Sequence, residues 1–247
     1  MCEECGCGQH PPTEQMEEPD CIDEIAIGRS VQEANDAIAD RIRNRLRHDG
    51  ILSVNIMGAP GSGKTTVIEN MARFLNPADI AVIQGDLESD IDTNRLAKRN
   101  IQACQINTHS GCHLDAAMIS NALLETDLSG KRYLLIENVG NLVCPAGMKI
   151  GQHINVVVIS TPEGSDKPAK YPLIFMDADM VLISKTDLSA SVDFDEEQFI
   201  AAIRRINAKV RICRVASKDP DSFKEAAYFL EHERAHLTGT GHSHDSM

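Results

Sequence analysis

The stretch GAPGSGKTT at residues 58–66 constrains the fold more than any other part of the chain. Gly58, Gly63, Lys64 and Thr65 satisfy the spacing GxxxxGK[ST], directly after the apolar run ILSVNIM (51–57) and directly before a helical pattern at 64–75. A strand, a glycine-rich turn and a helix in that order make a phosphate cradle. Residues with little or no side chain let successive backbone N–H groups and the helix N-terminus converge on anionic oxygens. Gly58, Gly61, Ser62, Gly63, Lys64, Thr65 and Thr66 are therefore expected to bind phosphates, with Lys64 stabilising charge during the reaction and the Thr65 hydroxyl ligating Mg2+.

The remaining sequence repeats the same alternation. Apolar runs at 80–84, 133–138, 154–160, 180–184 and 210–215 read as buried parallel strands, and helical patterns lie at 90–99, 113–126, 194–206 and 221–236. This predicts an α/β fold of the P-loop NTPase type, a mostly parallel sheet with helices on both faces. Before it, Val31, Ala34, Ile38, Ile42 and Leu46 recur at helical spacing among charged residues, an amphipathic helix ended by Asp49 and Gly50. Three organisational pieces are expected: a flexible metal-binding arm (1–28), the nucleotide domain (29–238) and a short flexible tail (239–247).

Acidic residues at successive strand ends extend the phosphate site. QGDLESDID presents Asp86, Asp90 and Asp92 where ligands of open α/β sheets bind. Asp86 is read as a Mg2+ contact, and Asp90 or Asp92 as the residue that orients the attacking water. In IENVGN, Glu137 takes the place of the acidic Mg2+ partner and Gly140 can approach a γ-phosphate. LISKTDL resembles the NKxD base-reading element with Ser184 for the leading Asn. The Asp187 carboxylate can accept from guanine N1–H and N2–H2 together, which selects GTP over ATP, and Lys185 accompanies it. Ser217 and Lys218 in VASKDP are a further candidate base contact.

Metal ligands form a second theme. Cys112 and His113 adjoin at a helix start, and Cys144 follows seven residues after Glu137; two thiolates and an imidazole suit Zn2+ or Ni2+. HERAH at 232–236 matches H-E-x-x-H, but at the end of the last helix, where a protease site is not expected. His242 and His244 follow in the tail. The eight cysteines include Cys2, Cys5 and Cys7 at the amino terminus. Neither a secretory pattern nor an apolar stretch of ~20 residues is evident, so a cytoplasmic location with free or metal-bound thiols is expected. A redox pair belongs beside a βαβ unit rather than on a terminus, which leaves chelation, and three thiolates with a terminal amine suit planar Ni2+.

Charge narrows the partners. The net charge is −13, and residues 1–24 carry eight acids without a single Lys or Arg, which argues against a nucleic-acid partner. A polar tether of ~20 residues reaches on the order of 25 Å, enough to bring the amino-terminal cysteines toward the Cys112–Cys144 region.

Taken together, MCEECGCG, GAPGSGKTT, GDLESDIDTNRL, SGCHLD, IENVGNLVCP and LISKTDL resemble the HypB family, the nickel-handling GTPases of [NiFe]-hydrogenase maturation. The resemblance implies a SIMIBI-type G domain that binds GTP or GDP and dimerises on nucleotide or metal binding. It also implies Cys112, His113 and Cys144 as metal ligands, and a separate tight nickel site at Cys2, Cys5 and Cys7. Hydrogenase large-subunit precursors and other maturation proteins are the implied partners. The alternatives are a urease-type or other metal-insertion GTPase, or a non-catalytic nickel- or zinc-binding protein. Two departures stand out: Ala59 and Pro60 occupy the early P-loop positions where relatives often carry an extra lysine, and no long His-rich storage tract is present.

Overall fold

The computed structural model describes residues 21–86, 95–108 and 111–239, with the backbone alone described at 21–28 and 86. The chain divides into two units, 1–34 and 35–247, and helix α1 (Cys21–His48) runs across that division. Residues 21–28, assigned to the arm by sequence, are thus helical in their backbone.

In the larger unit, β1 (Leu52–Gly58), β2 (Ile80–Asp86), β3 (Gln102–Asn107), β4 (Tyr133–Glu137), β5 (Ile154–Ser160), β6 (Met180–Ser184) and β7 (Arg211–Arg214) form one sheet in the order β3-β2-β4-β1-β5-β6-β7. Every strand pairing is parallel. Among the described residues the sheet is accompanied by α2 (Lys64–Met71), α3 (Ala116–Glu125), α4 (Lys167–Lys170), α5 (Pro172–Met176), α6 (Glu196–Ile206) and α7 (Lys224–Leu237). The chain builds outward from β1 in both directions, since β4 and β5 flank it. The crevice beyond its carboxyl end is the switch point where open α/β sheets hold ligands.

Side-chain alternation along the strands divides the core. On one face Leu52, Val54 and Ile56 pack with Val67, Ile68 and Met71 of α2 and with Ala226, Ala227 and Leu230 of α7. On the other, Ala81, Ile83, Leu134 and Ile136 meet Ile42 and Leu46 of α1 and Ile119 of α3. Farther along the same sheet, Val157, Ile159, Val181 and Ile183 meet Phe175 of α5 and Phe199 and Ile203 of α6. Fully burying each large apolar side chain contributes roughly 1.5–3 kcal/mol, so these two layers hold the strand ends in register.

The structure corrects several element boundaries. The expected helix at 64–75 ends as α2 at Met71 and closes through a tight turn in which Phe74 N–H donates to the Met71 carbonyl (3.0 Å). The helix expected at 113–126 begins at Ala116, and β3 has no counterpart among the expected strands. Of the helix expected at 90–99, residues 95–97 are helical and 90–94 lie outside the described residues. No helix among the described residues is long and apolar enough to cross a membrane.

Candidate nucleotide and metal site

The P-loop turns from β1 into α2 through Gly63, whose φ of +98° is open to glycine at little steric cost. A cleft of about 530 Å3 lies over it, lined in part by Pro60, Gly61, Lys64, Thr65 and Thr66. The Lys64 ammonium folds over the loop, donating to the Gly58 and Ala59 carbonyls at 3.3 Å each. Thr65 Oγ1 donates to Glu137 Oε1 at 2.8 Å, while Gln84 Nε2 donates to Glu137 Oε2 at 2.8 Å. Glu137 is nearly buried yet has both carboxylate oxygens satisfied, as a buried charge requires. Hydroxyl and carboxylate oxygens side by side at a helix N-terminus form a hard donor set that fits Mg2+.

Two residues of the expected base site hold the loop itself. Ser184 Oγ donates to the Ser62 carbonyl at 2.6 Å, and Lys185 Nζ donates to the Gly61 carbonyl at 2.7 Å. Ser184 thus has a definite task in place of the expected Asn. Lys185 sits in the left-handed region, φ +57°, with its carbonyl accepting from Thr161 Oγ1 (2.8 Å). Beyond it Asp187 lies 3.3 Å from Lys218 Nζ, so those two candidates are brought together. Arg95, which sequence reasoning did not single out, lines the same cleft; its guanidinium lies 2.9 Å from Glu69 Oε2 and 3.5 Å from Thr66 Oγ1.

The metal candidates converge too. One ligand atom from each of Cys112, His113 and Cys144 lies within 4.8 Å of the others, although Cys144 is far from the pair in sequence. Cys112 Sγ is 3.5 Å from His113 Nδ1. Hydrogen bonding to the neighbouring Cys112 thiol, the largest cause, raises the Cys144 pKa, because two adjacent thiols resist becoming two thiolates without a cation between them. Cys112 and His113 do not stand at a helix start. They occupy the preceding turn, and Asp115 caps α3 by accepting from Met118 N–H at 2.7 Å.

Two asparagines missed by sequence connect the sites. Asn138, buried, accepts from Leu114 N–H (3.2 Å) and Val139 N–H (2.9 Å) and donates to Asn55 Oδ1 (3.1 Å). It anchors the residue following His113 to the segment that leaves β4. Asn141 donates its backbone N–H to the Gly58 carbonyl (3.1 Å), while its side-chain oxygen accepts from Val143 and Cys144 N–H and its amide meets Cys144 Sγ at 3.4 Å. Gly140 lies between them against Pro60, where an added Cβ would meet Pro60 Cγ at 2.9 Å. Amides spaced within a loop have no periodicity to betray them; only their placement immediately after Glu137 was a clue.

Asp86 lies at the carboxyl end of β2, two residues beyond Gln84, with its side chain outside the description. Asp90, Asp92, Cys2, Cys5, Cys7, His242 and His244 lie outside the described residues. His232 and His236 share an exposed face of α7, away from the nucleotide cleft lining.

Sheet order, glycine-rich loop and paired side-chain oxygens define a P-loop nucleotide-binding domain with a thiol–imidazole cluster attached. The family model "CobW/HypB/UreG, nucleotide-binding domain" matches residues 52–214, and the chain belongs to this family, on its HypB branch. The hydrogenase/urease maturation factor HypB of Helicobacter pylori is 38% identical over 224 residues, 89% of this chain and 92% of that one. The crystal structure of HypB from Helicobacter pylori in complex with nickel matches with a TM-score of 0.78 at 38% identity, covering 86% of this chain and all of that one. The hydrogenase maturation factor HypB of Archaeoglobus fulgidus matches at 0.76 and 39% identity, covering 82% and 99%.

Proposed function

We propose that this chain is a cytoplasmic, Mg2+-dependent GTPase whose nucleotide state gates transfer of nickel to a [NiFe]-hydrogenase large-subunit precursor, together with other maturation proteins. The observation that carries the reading is the segment from Glu137 to Cys144. Its first residue bonds Thr65, its Asn141 backbone bonds Gly58, and its Asn141 side chain holds Cys144. Because Asn138 holds Leu114, both halves of the metal cluster are tied to one strand exit. A segment that shifts with the γ-phosphate then moves a metal ligand, which is the two-state element that coupling requires.

In this reading Thr65, Asp86 and Glu137 hold Mg2+, which when bound neutralises charge developing on the β- and γ-phosphate oxygens. Lys64 and the backbone N–H groups of Gly61, Ser62, Gly63 and Thr66 bind the phosphates, and Gly140 contacts the γ end. Asp90 or Asp92 orients the attacking water. Asp187 reads guanine, flanked by Lys185, Ser217 and Lys218. Cys112, His113 and Cys144 hold nickel as cargo, with zinc as competitor, and the cluster's remaining coordination position is filled by water or across a homodimer formed on nucleotide or metal binding. Residues 1–28 act as an arm whose Cys2, Cys5 and Cys7 bind nickel tightly and deliver it, and 239–247 form a tail. Support for nickel comes from the soft donor set and from a relative crystallised with nickel. The name of the Helicobacter relatives also makes a urease precursor a recipient to test.

Steady-state phosphate release with GTP and with ATP tests the enzymatic part. GTP turnover that disappears in Lys64→Ala and is at least ~10²-fold weaker with ATP is expected. Nickel binding without GTP turnover would leave only the non-catalytic metal-binding reading.

A further inference from the structure

We infer that His232 and His236 form a separate binding site for a divalent transition metal on the outer face of α7. The two residues are one helical turn apart and point the same way: their Nε2 atoms are 3.0 Å apart and their ring centroids 4.3 Å apart. That spacing matches a coordination bite. Two imidazole nitrogens at roughly 2.0–2.1 Å from one ion and at right angles lie roughly 2.8–3.0 Å apart, whereas tetrahedral angles spread them to roughly 3.3–3.4 Å. The 3.0 Å separation is itself a ring-to-ring hydrogen bond, and both bites lie within a small side-chain adjustment of it, so the pair can chelate either kind of ion.

The ring orientation is also fixed from behind. Glu233 Oε1 lies 3.4 Å from His232 Nδ1, on the side away from His236. A carboxylate there keeps the proton on Nδ1 and leaves the Nε2 lone pair to face the ion, the arrangement by which outer carboxylates orient histidine ligands. His232 and His236 are exposed on the α7 surface, so an ion reaches them and completes its shell with water. The H-E-x-x-H spacing thus has a coordination role, and the site stands independently of the nucleotide and thiol chemistry described above.

Equilibrium dialysis of the full chain against radioactive Ni2+ counts the ions bound per chain. His232→Ala/His236→Ala and the single His236→Ala are each expected to bind one ion fewer than wild type, while His242→Ala/His244→Ala binds the full number. An unchanged count in the helix variants, or the loss of one ion in the tail variant instead, overturns the assignment. A readout on the unmutated chain guards against misfolding: added Ni2+ should broaden the ring-proton resonances of His232 and His236 together, and unaffected resonances refute the site.

Discussion

Replacing Asn138 by Ala removes one small amide and is expected to affect both sites. The side chain is 1% exposed and makes three hydrogen bonds, to Leu114 N–H, Val139 N–H and Asn55 Oδ1. Alanine supplies none of them, and Asn55 is equally buried, so no water replaces the lost partners cheaply. At about 1 kcal/mol for each lost partner, the cost is about 3 kcal/mol. For a unit of this size that corresponds to a fall in Tm of roughly 6–12 °C. The second consequence is local. Leu114 directly follows His113, and without its anchor the turn carrying Cys112 and His113 loses its fixed relation to Cys144. Losses of this kind typically cost 10–100-fold in metal affinity. Thermal unfolding followed by circular dichroism, and chelator competition for Ni2+ in a chain truncated to residues 29–247, measure the two effects. A Tm within roughly 2 °C of wild type together with unchanged nickel affinity would refute the reasoning.

Other outcomes follow from the same geometry. In the proposed base site Asp187→Asn would lose one charge-assisted hydrogen bond to guanine, about 1.5–3 kcal/mol, so selectivity for GTP over ATP should fall ~10–150-fold in competitive nucleotide binding. His153 accepts from Ser53 N–H at Nδ1 (3.0 Å) and its Nε2 meets the Arg43 carbonyl at 3.1 Å, a pattern that needs the neutral ring. Burial first, then Arg43 and Arg47, push its pKa from 6.5 down to about 4. The unfolded chain then binds more protons between those values, so this contribution to stability is present above pH 6.5 and is lost as pH falls toward 4. His153→Gln should flatten that part of the stability profile in denaturant titrations. Burial pushes the Cys213 thiol up to about 12, while Cys112 is exposed. Iodoacetamide at neutral pH should therefore label Cys112 in the native protein and spare Cys213, as read by peptide mass spectrometry.

How much of this was legible in the sequence depended on the kind of signal. The central strands announced themselves as apolar runs because both faces of a parallel sheet are covered, as at Val156–Ile159. β3 escaped because it lies at the sheet edge and is only half buried, so QACQIN alternates with polar residues. The P-loop was readable because its chemistry demands particular residues at fixed spacing. Cys112, His113 and Cys144 could be nominated by type, but their convergence belongs to tertiary structure. The Ser184 substitution looked like a defect in the base motif, yet its hydroxyl secures the Ser62 carbonyl. Asn138, Asn141, Gln84 and Arg95 were invisible because amides and arginines are common in loops, and only the fold reveals which ones face Leu114, Cys144, Glu137 or Glu69.

The central claim is that one segment couples the γ-phosphate to the metal cluster, and coupling free energies are reciprocal. The most direct measurement is the Ni2+ affinity of the Cys112–His113–Cys144 site, by competition with a chromophoric chelator, with GDP bound and with a non-hydrolysable GTP analogue bound. The account predicts affinities that differ by roughly 5–150-fold, and an Asn141→Ala variant in which the two converge. Equal affinities in the wild-type protein would contradict it.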